Sequence, residues 1–146
     1  QNYLLAKENL RLNNIENVTL FNHAVTNYNG IIELYLNGGV CSDCHSTIKI
    51  RGRKKIEVEA ININNIISTY NPTKLKVDCE GEELIFMQHA KMNNIKALSM
   101  EVHFTYSKRD KHANYYKMLQ NIENYFNDIK YPKVQDQFSK MMYAKK

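Results

Sequence analysis

Apolar residues recur along this chain with two periods, and the places where one period gives way to the other mark its elements. Residues 3–12 (YLLAKENLRL) repeat apolar side chains at helical spacing with strong helix formers between them, and Asn13-Asn14 follows as a stop. Residues 17–25 (NVTLFNHAV) are short, apolar and rich in β-branched types, which predicts a strand. A turn at Tyr28-Asn29-Gly30 leads into a second strand over 30–36, and the stretch 37–47, with Gly38-Gly39, reads as a loop. Residues 56–63 (IEVEAINI) alternate as a half-exposed strand does, and 64–70 predicts a short helix stopped by Asn71-Pro72. A strand over 75–79 (LKVDC) runs straight into Glu80-Gly81. The stretch 82–92 predicts a helix whose first-turn acids suit the helix dipole. A strand over 95–104 and a long helix over 112–127 follow, the helix carrying Tyr116, Leu119, Ile122, Tyr125 and Phe126 along one face. Past Pro132 the pattern fits either a final strand or a helix over 134–143.

Strands that alternate with helices predict an α/β fold with a mainly parallel sheet covered on both faces. In such sheets ligands bind outside the carboxyl ends of the strands. The residues to read for chemistry are therefore those that end the strands over 18–25, 75–80 and 95–104. No linker composition and no internal repeat interrupts the 146 residues, which are expected to form one domain.

Composition changes this picture only at its margins. A net charge of +5 is spread along the chain, and its one dense basic run, residues 49–55 (KIRGRKK), reads as a solvated edge whose lysines discourage strand pairing. Without a concentrated basic face interleaved with aromatic residues, no nucleic-acid partner is expected. No run of about 18 apolar residues is present, so no membrane span is expected. Three cysteines, Cys41, Cys44 and Cys79, are too few for a disulfide framework and suggest a reducing cytoplasm. Cys41-Ser-Asp-Cys44-His45 has the spacing of a haem attachment motif but falls in a predicted loop with no export signal. Zinc held by Cys41, Cys44 and His45, with Cys79 as a fourth ligand, would lack the second pair such sites use. A cysteine-containing surface loop is the simpler reading. Tyr115, Tyr116 and Tyr125 are expected to pack in the core and its grooves.

The strand ends gather acids. Alternation puts Asp78 and Glu80 on one side of their strand, and Glu101 and His103 share a side of theirs. Gly81 allows the sharp turn between strand and helix. If the two strands are neighbours, three carboxylates and an imidazole crowd one edge, which is costly unless a cation, a proton or a ligand compensates. Spacing alone leaves simpler alternatives open: Asp78 or Glu80 capping the next helix, and Glu101 at a solvated strand end.

The segment Leu75-Lys76-Val77-Asp78-Cys79-Glu80-Gly81-Glu82-Glu83 resembles the Lys-Ile-Asp-Val-Glu-Gly-x-Glu signature of FkbM-type methyltransferases. Asn9-Leu10-x-Leu12-Asn13 followed by residues 18–25 is similar to that family's second helix and third strand. Ala24-Val25 with 30–35 (GIIELY) is similar to its Ala…Gly…Tyr stretch, and Glu101-Val102-His103 to its Glu-x-His strand end. The resemblance covers roughly residues 2–104. It implies a partial Rossmann-like class I methyltransferase sheet. The family's first strands and glycine-rich loop have no counterpart among Gly30, Gly38, Gly39, Gly52 and Gly81, and the chain, which opens on Gln1, is expected to be part of a longer one.

The resemblance further implies S-adenosylmethionine as methyl donor and a hydroxyl of a sugar, a glycan-like product or another small molecule as acceptor. Asp78 or His103 would be general base, with Glu80 and Glu101 orienting it or bonding the acceptor. Asn22, His23 and Ala24 would border the cofactor adenine, and Asp78 would also face the cofactor. The implied site includes no metal, with a divalent ion on Asp78, Glu80 and Glu101 as an alternative. A non-catalytic remnant serving as an interaction or metal-binding module is the rival reading. A sheet without its first strands leaves an unpaired edge, so self-association is expected, which sedimentation at two concentrations would read.

Overall fold

A computed structural model gives the fold and describes residues 2–36, 54–103, 111–131 and 139–146. Helix α1 (Asn2–Leu12) forms where the periodicity places it, and Asn14, at φ 53°, turns the chain out of it. None of its residues is buried, and Leu4, Leu5 and Leu12 face solvent.

Three strands make a first sheet: β1 (Ala24–Thr26), β2 (Gly30–Leu36) and β3 (Lys54–Asn62), in the order β1-β3-β2. β2 lies antiparallel to β3, from Gly30 opposite Ala60 to Leu36 opposite Lys54, and β1 lies parallel to β3. The strand expected over 17–25 is thus reduced to its end. Among the described residues no strand pairs with 17–23, and an extended segment with nothing to receive its backbone hydrogen bonds forms no ladder, whatever its β propensity.

The helix expected over 64–70 is α2 (Ile63–Tyr70). Its caps are legible in the sequence: Asn62 Oδ1 accepts from the Asn64 N–H at 2.9 Å, and Asn71, at φ 44°, closes the other end by donating its N–H to Ile67 O. Ile63 and Ile67 point inward.

The second sheet holds β4 (Lys74–Val77), β5 (Ala97–His103), β6 (Asp128–Lys130) and β7 (Ser139–Lys145), in the order β4-β5-β7-β6. β4 and β5 run parallel, joined through α3 (Glu83–Phe86), while β7 is antiparallel to both β5 and β6. The chain is therefore α/β, but with two small mixed sheets in place of one mainly parallel sheet. The last strand returns between β5 and β6, which excludes the helical alternative over the described part of 134–143.

The helix expected over 82–92 is cut to one turn. Past Phe86 the backbone tightens into bonds three residues apart, Gln88 to Ile85 and His89 to Phe86. Side chains take the carbonyls a longer helix would have used: Asn121 donates to Met87 O and Ala90 O, and Asn64 to His89 O.

Asn121 belongs to α4 (Lys111–Glu123), which packs with α3 over the inward face of the second sheet. The core joins Val77, Leu98, Met100, Val102, Met142 and Ala144 of the strands to Phe86, Met87, Met118, Ile122 and Phe126. Leu119, Ile122 and Phe126 of the expected face are buried and Tyr125 packs against the core, as Tyr115 also does; Met118 completes the buried face, while Tyr116 faces solvent at 61% exposure. Along β5 the other parity, Ala97, Ser99, Glu101 and His103, emerges on the opposite side and carries its polar groups to the carboxyl end of the strand. No helix among the described residues is long and apolar enough to cross a membrane.

Candidate functional site

β4 stops pairing at Val77, and the next five residues turn the chain into α3. Glu80 (φ 51°) and Gly81 (φ 111°) both take left-handed backbone, which is ordinary for glycine and uncommon for a glutamate. This turn, rather than strand alternation, brings Glu80 beside the next strand. Its Oε2 stands 3.6 Å from His103 Nε2. Glu101, two residues before His103 on β5, reaches the same nitrogen at 3.8 Å, as alternation predicts.

Asp78 remains outermost, its side chain 43% exposed and its Oδ2 4.0 Å from Lys76 Nζ, a surface contact of small energetic weight. Asp78, Glu80 and His103 each offer one ligand atom, all within 4.8 Å of one another. His103 thus stands where the sequence reading had placed Glu101 in a three-ligand set.

What holds the imidazole is Glu83, one of the acids that the sequence places at the start of a helix. Glu83 is fully buried, at 0% exposure. Its Oε1 accepts the His103 backbone N–H at 2.7 Å and lies 3.1 Å from His103 Nδ1, while Oε2 accepts the Gly81 N–H at 2.8 Å. A carboxylate only accepts, so we assign the ring proton to Nδ1. The neutral ring then has its lone pair on Nε2, aimed at Glu80 and Glu101. The neighbouring glutamate faces the other way: Glu82 Oε1 accepts from Thr26 Oγ1 at 3.0 Å, tying the end of β1 to the start of α3. Thr26 and Glu82 are both buried. The only sequence-level sign of Glu83 was its place as the last acid of the Asp-x-Glu-Gly-x-Glu segment. Thr26 carried none.

Electrostatics follow from this packing. Burial alone would lower the His103 pKa. The hydrogen bond and charge of Glu83, with the charges of Glu80 and Glu101, outweigh it and hold the pKa above the ordinary imidazole value. Glu80 also sits above its ordinary value: burial and the charges of Asp78, Glu83 and Glu101 raise it, against the opposing pull of His103.

Cys79, half-buried in the same turn, is pushed up to about 12 by burial first and then by the Glu83 charge. A thiol raised in the folded state favours that state below its unfolded pKa, and the advantage fades as pH climbs toward about 12. At pH 8 Cys79 is therefore a poor nucleophile. Peptide mapping after native alkylation at that pH should show its peptide unlabelled, with full labelling in urea. Rapid native labelling would contradict the burial. Cys41, Cys44, His45 and the basic run up to Arg53 lie outside the described residues.

Asn22, His23 and Ala24 come at the entry to β1, two to four residues back from Thr26, with Ala24 opening the strand. They line a cleft of about 450 Å³ whose other walls include Tyr3, Ala6, Leu34 and Val58. His23 Nε2 is 3.1 Å from Glu59 Oε2, and the Phe21 ring stands edge-on to both His23 and Tyr70.

The family model for the methyltransferase FkbM domain matches residues 1–132. The chain belongs to the FkbM methyltransferase family. The match runs past the 2–104 span of the sequence resemblance and takes in α4 and β6 of this FkbM domain. No curated protein and no solved structure matches it. Within the FkbM domain, the signature segment is the turn that carries Asp78, Glu80 and Glu83 toward the end of β5.

Proposed function

We propose that this FkbM domain transfers the methyl group of S-adenosylmethionine to a hydroxyl of a sugar or glycan-like small molecule. One observation carries the reading. His103, fixed through Nδ1 by a buried carboxylate, turns Nε2 toward Glu80 and Glu101 at the carboxyl ends of two parallel strands, where ligands of α/β sheets bind.

In the reaction the acceptor oxygen attacks the methyl carbon in line with the leaving sulfur. The carbon–sulfur bond breaks, its electron pair stays on sulfur, and the hydroxyl proton passes to the protein. Donor and acceptor must be held in line, and the proton needs a nearby acceptor. His103 Nε2 or the Asp78 carboxylate receives it, and Glu80 and Glu101 orient the acceptor hydroxyls. Asn22, His23 and Ala24 border the adenine in the cleft beside α1, and Asp78 faces the methionine end of the donor. The parallel β4–β5 pair with its intervening helix supports a partial Rossmann-like sheet, and the cysteine usage supports a reducing, cytoplasmic setting.

Calorimetric titration with S-adenosylhomocysteine, followed by methyl transfer from labelled donor to a panel of sugars, tests the proposal. Saturable binding weakened at least tenfold by His23→Ala or Asp78→Ala, with label appearing on a hydroxyl, is the expected result. Absence of both binding and label from the chain would refute it.

A further inference from the structure

We propose that Asp78, Glu80 and His103 together bind one divalent transition-metal cation at the edge where β4 and β5 end. Their ligand atoms lie within 4.8 Å of one another. Two ligands bound to one ion at ~2.1–2.4 Å each stand at most ~4–5 Å apart, so small side-chain movements suffice to close the set.

The second observation is the state of the imidazole. His103 is 7% exposed, yet its Nε2 lies 3.6 Å from Glu80 and 3.8 Å from Glu101, both beyond hydrogen-bond reach. The ring thus turns Nε2 toward the two carboxylates that border the cluster. On the other side of the ring, Glu83 fixes the tautomer that a metal-bound histidine requires, an arrangement of carboxylate, imidazole and cation that recurs in metal sites. Glu83 lies outside the ligand set and is itself saturated by three N–H contacts.

The donor set selects the ion. One imidazole with two carboxylates is too nitrogen-rich for a calcium or magnesium cage and suits manganese or zinc. Three protein ligands leave positions open, and the partial exposure of Asp78 (43%) and Glu80 (24%) gives the ion a path in. The consequence for catalysis rests on the methyl-transfer reading, whereas cation binding does not. A cation here acidifies an acceptor hydroxyl placed in an open position. With the cation bound, His103 and Asp78 are taken up as ligands, and Glu101, beside the set, replaces them as the acceptor of the proton.

The test is titration of the chelator-treated full chain with manganese chloride, without methyl donor, read from the loss of the free-ion signal in electron paramagnetic resonance. Saturable uptake of one ion per chain is expected. Asp78→Asn and Glu80→Gln, both at partly exposed positions, should each weaken it at least tenfold, and Glu8→Gln on α1 should leave it unchanged. No saturable uptake, or uptake indifferent to both substitutions, overturns the proposal. The two readings separate cleanly. Manganese bound by a chain that transfers no methyl leaves the site standing as a metal-binding module. Methyl transfer by chelator-treated chain that takes up no manganese leaves the transferase standing without the cation.

Discussion

Glu83→Ala is expected to lower the unfolding free energy by ~3–5 kcal/mol, because each buried donor left unpaired costs ~1–3 kcal/mol. The substitution strands the N–H groups of Gly81 and His103 and the Nδ1–H of the ring inside the protein, where water does not replace the lost carboxylate. Single domains have only ~5–15 kcal/mol in total, so the variant should be close to half unfolded or worse in mild denaturant. Glu83→Gln keeps the volume and one carbonyl acceptor, and should lose about half as much. Urea unfolding followed by circular dichroism measures both. A loss below about 1 kcal/mol for the alanine variant would mean that water enters the turn and that the carboxylate does not hold it.

His103→Asn is expected to reduce methyl transfer by ~10²–10⁴-fold, the range typical for loss of a positioned proton-transfer group. The backbone N–H of residue 103 still reaches Glu83, so the fold should survive. S-adenosylhomocysteine binding should stay within about twofold, because the proposed adenine contacts lie at the entry to β1, not on β5. A variant that loses donor binding in step with turnover would place His103 in the cofactor pocket instead. A variant with unchanged turnover would remove it from the chemistry.

Elements whose signals are local were legible in the sequence. β2 and β3 follow from alternation, and α2 from Asn62 and Asn71 at its ends. Glu101 and His103 share a side because both lie within a regular strand. Elements that depend on distant partners were not. Residues 17–23 have strand-like composition but no paired strand among the described residues, and Met87, His89 and Ala90 lie in a stretch of helical composition but give their carbonyls to Asn121 and Asn64. Glu80 joins the site through a left-handed backbone that no propensity foretells for a glutamate. Glu83 fits the pattern of a solvated helix-start acid, and only the approach of His103 across the fold gives it another task. In the first sheet the pattern marked the strands but not their pairing: the parallel β1–β3 contact spans 36 positions of register, from Ala24 to Ala60.

Thr26 and Glu82 also bear on the order in which the protein can assemble. Two consecutive glutamates clamp opposite ways, one onto a threonine 56 positions away and the other onto a histidine 20 positions on. Contacts across such separations form after local turns and hairpins, because the intervening chain must first give up its freedom. The Thr26–Glu82 clamp is therefore expected to form late in folding. A chain that has recovered its secondary structure need not yet have joined β1 to the turn before α3, and any ligand that needs this turn in place would report that the two have met.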